Sequence, residues 1–323
     1  MKRITLSVLA ILWFSLFNGG SAFACDFCLL SQGISPLDTM KGTGIRVTER
    51  YTLLNQVYQG TAERSNPGAT ETHWTTELTG FYGITPDLMV LAVLPYKNGR
   101  TTGEADMTAI PPALDPALAG SAKGIGDVAL MVRYSFLKVE NPDSTTIAAA
   151  IAGVKFATGR TDAKTFDGMN YLDSHLQPGT GSTDHLFGLS FSHALTRFSI
   201  SANVLGTITT SGTFGVTQHE FGNALNYDVT AKYRIAPVSF SPTDPQWFFA
   251  LGVNGESRQR EKENWTTVPD SGGTTLYLSP GVQIVLVPHW VVDLSYRYAV
   301  YHNLYGTQLG ETYKAVSGVT YLF

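Results

Sequence analysis

Two sets of residues in this chain have types and spacings that could do chemistry. The first is Cys25 and Cys28 in the run CDFC, the only cysteines among 323 residues. A CxxC pair can close a local disulfide, exchange disulfides with a partner, or hold a soft metal. Four-coordinate zinc needs two more ligands, and no paired histidines lie nearby; covalent haem needs CxxCH, and Leu29 stands in place of that histidine. In an oxidising compartment a disulfide is the default, with redox exchange left open. No metal or other cofactor is expected.

The second set is charged and sits at alternate positions in runs otherwise rich in apolar side chains. Its cations are Arg46, Arg50, Arg133, Lys155, Lys232, Arg234, Arg297 and Lys314; its anions are Glu77, Asp127, Asp184, Asp228, Glu256 and Asp293. Gathered inside a barrel, such residues line a pathway and set up a transverse field that orients a polar solute. They can equally pair with one another and fill the interior. The seven histidines, by contrast, are scattered, with no HExxH and no G-x-S-x-G, so the chain is not expected to be an enzyme.

What must position these residues is a repeated strand. The final stretch, Glu311 to Phe323, puts Tyr313, Ala315, Ser317, Val319, Tyr321 and Phe323 on one face and Thr312, Lys314, Val316, Gly318, Thr320 and Leu322 on the other. One face suits lipid and the other water. Segments of this kind recur about twelve times, the count of a mid-sized barrel. They begin near Gly44, Thr72, Asp87, Gly124, Thr145, Ser182, Arg197, Asn223, Gln246, Thr274, His289 and Glu311.

The gaps between segments alternate between short and long, with the last long gap running from His302 to Gly310. That is the wiring of an up-and-down transmembrane barrel with short periplasmic turns and long outer loops. Aromatics such as Trp74, Tyr82, Tyr134, Phe136, Trp247, Trp290 and Tyr298 lie near segment ends, where lipid girdles form. Three places resist the pattern. Glu49 falls on the lipid face of the first strand, where a charge is costly. The run LMVLAVLPY is apolar on both faces, and Pro95 and Pro280 suggest strand ends or bulges. The Gly-rich stretch Gln177 to Asp184 reads first as an ordered outer loop with tight turns, and second as a constriction folded inward.

The chain opens with Lys2 and Arg3, the apolar run Ile4 to Phe17 and the small-residue site Ala22-Phe23-Ala24, the form of a secretory signal peptide. Its removal leaves a chain whose acidic residues outnumber its basic ones, which excludes a nucleic-acid protein. Past it, no apolar run reaches the roughly 18 residues of a membrane helix.

Five phrases carry a resemblance: VLPYKNG from Val93, GIGDVALMVRYSF from Gly124, GVKFATGRTD from Gly153, PGTGSTDHLFGLSFSH from Pro178 and YLSPGVQ from Tyr277. Together they resemble an outer-membrane, transporter-like family associated with the meta-pathway of phenol degradation. The resemblance implies an outer-membrane barrel of uptake function, with small organic or aromatic solutes, and brings no catalytic residues.

The expectation is therefore an all-β protein: a signal peptide at 1–24, a periplasmic N-terminal segment at 25–42 carrying the CxxC, and a single outer-membrane barrel of about twelve strands at 43–323. Its partners would be outer-membrane lipid, a small-molecule solute and the barrel-assembly machinery, which would read the end Tyr321 to Phe323. The competing reading is a barrel scaffold docking periplasmic redox or metal-handling partners through Cys25 and Cys28.

Overall fold

The computed structural model describes residues 42–107, 110–239, 243–286 and 288–323. The strands, in chain order, are β1 (Gly44–Gly60), β2 (Ala62–Arg64), β3 (Glu71–Gly83), β4 (Leu88–Thr101), β5 (Glu104–Asp106), β6 (Ala113–Asp115), β7 (Gly120–Ile125), β8 (Ala129–Asn141), β9 (Ser144–Lys155), β10 (Asp184–Leu195), β11 (Phe198–Ile208), β12 (Ser211–Phe214), β13 (Thr217–Glu220), β14 (Ala224–Ala236), β15 (Gln246–Arg258), β16 (Lys262–Glu263), β17 (Thr266–Thr267), β18 (Gly273–Leu286) and β19 (Trp290–Leu322). The expected signal peptide, Cys25, Cys28 and the N-terminal segment up to residue 41 lie outside the described residues.

Eleven strands form a closed antiparallel ring in the order β1, β3, β4, β8, β9, β10, β11, β14, β15, β18 and β19, with β19 pairing back onto β1. Closure leaves no ring strand with an unpaired edge, the condition for a sheet to stand in hydrocarbon. The 33 residues of β19 are far too many for one crossing, and its pairings show two. Trp290 to Leu304 runs antiparallel to β18, while Leu304 to Leu322 runs antiparallel to β1. Because β18 and β1 run in opposite directions, the chain reverses between them, at Gly306, where φ is +62°. The ring therefore has twelve crossings, and both of its ends emerge on one side. No long loop separates His302 from Gly310: that expectation is corrected, and the polar residues there belong to a long hairpin.

The other connections fall into two classes. Short turns at residues 84–87, 142–143 and 196–197, and the connections from β14 to β15 and from β18 to β19, share one end of the barrel; the loops 61–70, 156–183, 209–223 and 259–272 and the connection from β4 to β7 share the other. We call these the turn end and the loop end. On the loop side, β12, β13, β16 and β17 make a small separate sheet.

Side chains alternate as a barrel wall requires. In β8, Ala129, Met131 and Arg133 are buried while Leu130, Val132 and Tyr134 are exposed; in β15, Ala250 and Asn254 point in while Phe249, Leu251 and Val253 point out. Trp74, Tyr82, Phe136, Trp247, Trp290, Tyr298 and Phe323 are all on the outside.

The doubly apolar β4 has a plain cause. Leu94 and Tyr96 face outward, while Met89, Leu91 and Val93 face inward and join Phe81, Ala129, Met131, Ile151, Leu186 and Leu205 in an apolar cluster inside the ring. Pro95, which has no N–H to donate, stands where the partner strand breaks between β7 and β8; its carbonyl instead accepts from Gly126 N at 2.8 Å. Pro280 breaks nothing, since the β18–β19 register runs unchanged past it from Leu278 to Gly281.

The phase of β1 is also regular through Glu49, which does face outward. Its carboxylate accepts from Trp74 Nε1 at 2.6 Å and Thr76 Oγ1 at 2.9 Å, side chains of the neighbouring strand on the same face.

Candidate functional site

The charged residues singled out above, Arg46, Arg50, Glu77, Asp127, Arg133, Lys155, Asp184, Asp228, Lys232, Arg234, Glu256, Asp293, Arg297 and Lys314, are all buried, none more than 6% exposed. Strand alternation accounts for most of this: Arg46, Arg133, Asp228, Lys232, Arg234, Asp293, Arg297 and Lys314 each occupy an inward position between two apolar neighbours, while Asp127 lies in the break between β7 and β8. The inner wall is consequently two-sided. The stretch from β3 through β11 carries the apolar cluster, and β1, β14, β15 and β19 carry most of the charge.

Three groups of charges assemble across strands. Near the turn end, Arg46 holds Asp293 with both terminal nitrogens, at 2.7 and 2.9 Å, and also donates to Thr320 at 3.1 Å. The two planar groups match in this bidentate geometry, which fixes their orientation as well as their separation. Toward the loop end, Lys314 lies between Glu256 at 2.6 Å and Glu311 at 2.9 Å, and Tyr277 donates its hydroxyl to Glu311. On the opposite wall, Lys155 lies between Asp184 at 2.5 Å and Asp127 at 3.2 Å. Asp228 is approached by Asn203 at 3.2 Å. Arg133 lines a second, smaller cavity of about 270 Å³ at the turn end, with Lys138 and Asp87.

The Gly-rich stretch does not stay outside. Thr180 donates from its backbone N at 2.8 Å and its hydroxyl at 2.6 Å to Asp127, and Leu176, Gln177, Pro178 and Gly179 are buried. Leu176 lies against inward-facing Gly99 of β4. The preference for an outer loop is thus corrected: residues 174–182 fold into the mouth of the ring. Glycine permits it, because a Cβ on Gly179 would sit 2.3 Å from the carbonyl oxygen of Gly159.

This inward segment bounds a cavity of about 460 Å³ that runs from the outer loops to Thr52 and Lys314 on the inner walls of β1 and β19. Its apolar lining includes Leu54, Val57, Leu118, Leu176, Leu309 and Phe221, and its charged lining includes Lys97, Glu104, Asp173, Arg258, Glu261 and Asp270.

Three residues here were not foreseen from sequence. Glu261, itself buried, stands between His175 and His219, with each ring Nε2 3.1 Å from a different carboxylate oxygen. Burial alone would lower the His175 pKa, but Glu261, with Asp173 and Glu71 adding, pushes it up to about 10. The two imidazoles in turn overcome burial at Glu261 and hold its carboxyl well below the usual carboxylate range. Glu104 moves the other way: burial raises it, and Asp173, Asp115, Asp106 and Asp270 raise it further.

The sequence profile of the family described as "Putative MetA-pathway of phenol degradation" matches residues 56–311, most of the chain and nearly all of the ring. The chain belongs to this family. A search of curated protein sequences finds no match. Among solved structures, this family member is similar to an outer membrane channel from Pseudomonas putida F1, at 13% identity and a TM-score of 0.65, covering 90% of this chain and 100% of that one. It is more distantly similar to the beta domain of the Bordetella autotransporter BrkA (12% identity, TM-score 0.45, 88% and 100% covered). The CymD monoaromatic hydrocarbon channel stands at 11% identity and a TM-score of 0.40, with 94% and 98% covered. The first of these shows the fold, an outer-membrane β-barrel.

Proposed function

We propose that the protein is an outer-membrane channel passing small organic solutes, aromatic ones among them, with its loop end outside the cell and its turn end and N-terminus in the periplasm. The observation that carries this is the two-sided interior: a cavity of about 460 Å³ leads from the loops into a ring with one apolar and one charged inner wall. Such a passage offers apolar contact to a ring compound and hydrogen-bonding groups to its substituents, the usual composition of a small-molecule site. On this reading Arg46, Arg50, Glu77, Asp127, Arg133, Lys155, Asp184, Asp228, Lys232, Arg234, Asp293, Arg297 and Lys314 line the pathway, and Tyr321 and Phe323 form the signal for assembly into the membrane.

Ion selectivity tests the lining. With Arg133 and Arg297 both replaced by Glu, the reversal potential across a planar bilayer under a salt gradient should move toward cation selectivity. An unchanged reversal potential would remove both residues from the pathway.

A further inference from the structure

Two loops meet over the mouth of the ring, and they come from opposite walls. Counting from β1, β4 is the third crossing and β15 the ninth of twelve, so loop 156–183, seated on β4 and β7, faces loop 259–272, which leaves β15. Where they touch, His175 Nε2 lies 3.1 Å from Glu261 Oε1, and the imidazole stands edge-on to Phe221 with ring centres 5.5 Å apart. His219 supports the other carboxylate oxygen from the small outer sheet.

The two ends of the inward segment are held differently. Residues Gly179 to Asp184 are fixed to the wall by Asp127, Lys155 and the close approach to Gly159. At the other end the chain makes one short turn, Ser174–Leu176, capped by the side chain of Asp173. That turn also has a seat on its own wall. Leu176 packs with Ala122, Ala163 and Leu172, and Gln177 bonds to the backbone of Ala163 and Leu172.

The mouth around this contact carries both signs: Glu104, Asp173 and Asp270 line the cavity together with Lys97 and Arg258. Within it, the ion pair of His175 with Glu261 joins loop 156–183 to loop 259–272.

We propose that the His175–Glu261 contact, which joins the turn at residues 173–177 to loop 259–272 across the mouth, is the gate of the channel. This rests on the channel reading above. When the contact breaks, loop 259–272 parts from the turn, which stays on the β4 wall, and the cavity lined by both loops opens to the outside. A solute enters by displacing that contact, not by unfolding the anchored half of the segment.

The test is potassium chloride conductance across planar bilayers at pH 7, with wild type, Glu261→Gln, His175→Asn and the swap His175→Glu with Glu261→Lys. Heat-modifiable gel mobility and circular dichroism verify that each barrel is folded. Loss of a coupling contact of ordinary size should raise the open fraction of both single variants about 5-fold or more, and the swap should restore the wild-type value. Folded single variants conducting like an active wild type would overturn the gate and leave the channel reading standing. No conductance from wild type or any variant, with solute uptake also absent, would overturn the channel reading and the gate with it.

Discussion

Replacing Lys155 by Met removes the cation that lies between the buried carboxylates of Asp127 and Asp184. The Lys155, Asp127 and Asp184 side chains are each 3–4% exposed, and the ammonium stands 3.2 and 2.5 Å from its partners. Methionine keeps most of the volume and none of the charge, so what remains is a pair of buried anions with Thr180 and the Gly159 N–H donating to Asp127 and the Thr210 N–H to Asp184. Breaking a buried pair from one side costs about 3–5 kcal/mol, because the partner stays desolvated and uncompensated. The contrasting change is Arg160→Ala. Arg160 and Asp162 lie 2.8 Å apart, but their side chains are 56% and 70% exposed, and such pairs contribute at most about 1 kcal/mol.

Urea unfolding in lipid vesicles, followed by tryptophan fluorescence, measures both. Lys155→Met should lower the midpoint with little change in slope, and adding Asp184→Asn should recover part of the loss by removing one of the stranded charges. A loss below about 1 kcal/mol for Lys155→Met would mean that the three groups are hydrated and do not fix the inward segment.

Three further outcomes are expected. Glu49→Leu removes a carboxyl from the lipid-facing side, where acidic groups cost up to about 2 kcal/mol, so the variant should unfold at equal or higher urea; a lower midpoint would show that the Trp74 and Thr76 bonds outweigh that cost. The loop contact should also follow pH. His175, raised from 6.5 to about 10, stabilises fully below pH 6.5 and progressively less as pH climbs toward 10, whereas Glu261, lowered from 4.5, stabilises fully above pH 4.5. Protease resistance of loop 156–183 should therefore be greatest between about pH 4.5 and 6.5 and fall by pH 10; constant resistance from pH 6 to 10 would contradict it. Deleting Phe323, whose ring meets Tyr321 at 5.3 Å at the end of the last strand, should reduce the folded barrel recovered from outer membranes severalfold. Full recovery would deny it an assembly role.

Most of the ring could be read in the sequence because a wall between lipid and lumen imposes a period of two on every strand. Leu130, Val132 and Tyr134 against Met131 and Arg133 display that period without any tertiary context. It was lost where the lumen itself turns apolar. Met89, Leu91 and Val93 pack on Phe81 and Leu186 inside the ring, so β4 shows no contrast between faces. It misled beyond the lipid, where His302, Asn303 and Gln308 continue as strand although their polarity resembles a loop.

The site was less legible. Strand phase alone places the charged residues, but pairing depends on register around the ring, as for Arg46 with Asp293, 247 residues apart in the chain but on nearby crossings of the ring. His175, His219 and Glu261 lie on three separate loops, and no spacing in the chain foreshadows their meeting. The inward fold of residues 174–182 turns on Gly159 facing Gly179, a proximity that only the folded chain creates.

Passage of solute is the claim on which the functional account stands, and uptake through a real outer membrane tests it most directly. In porin-deficient Gram-negative cells, expression of the protein should speed entry of a labelled monocyclic aromatic compound well above that of cells carrying an empty vector. Equal entry rates, with the barrel shown to be folded in the outer membrane, would contradict the account.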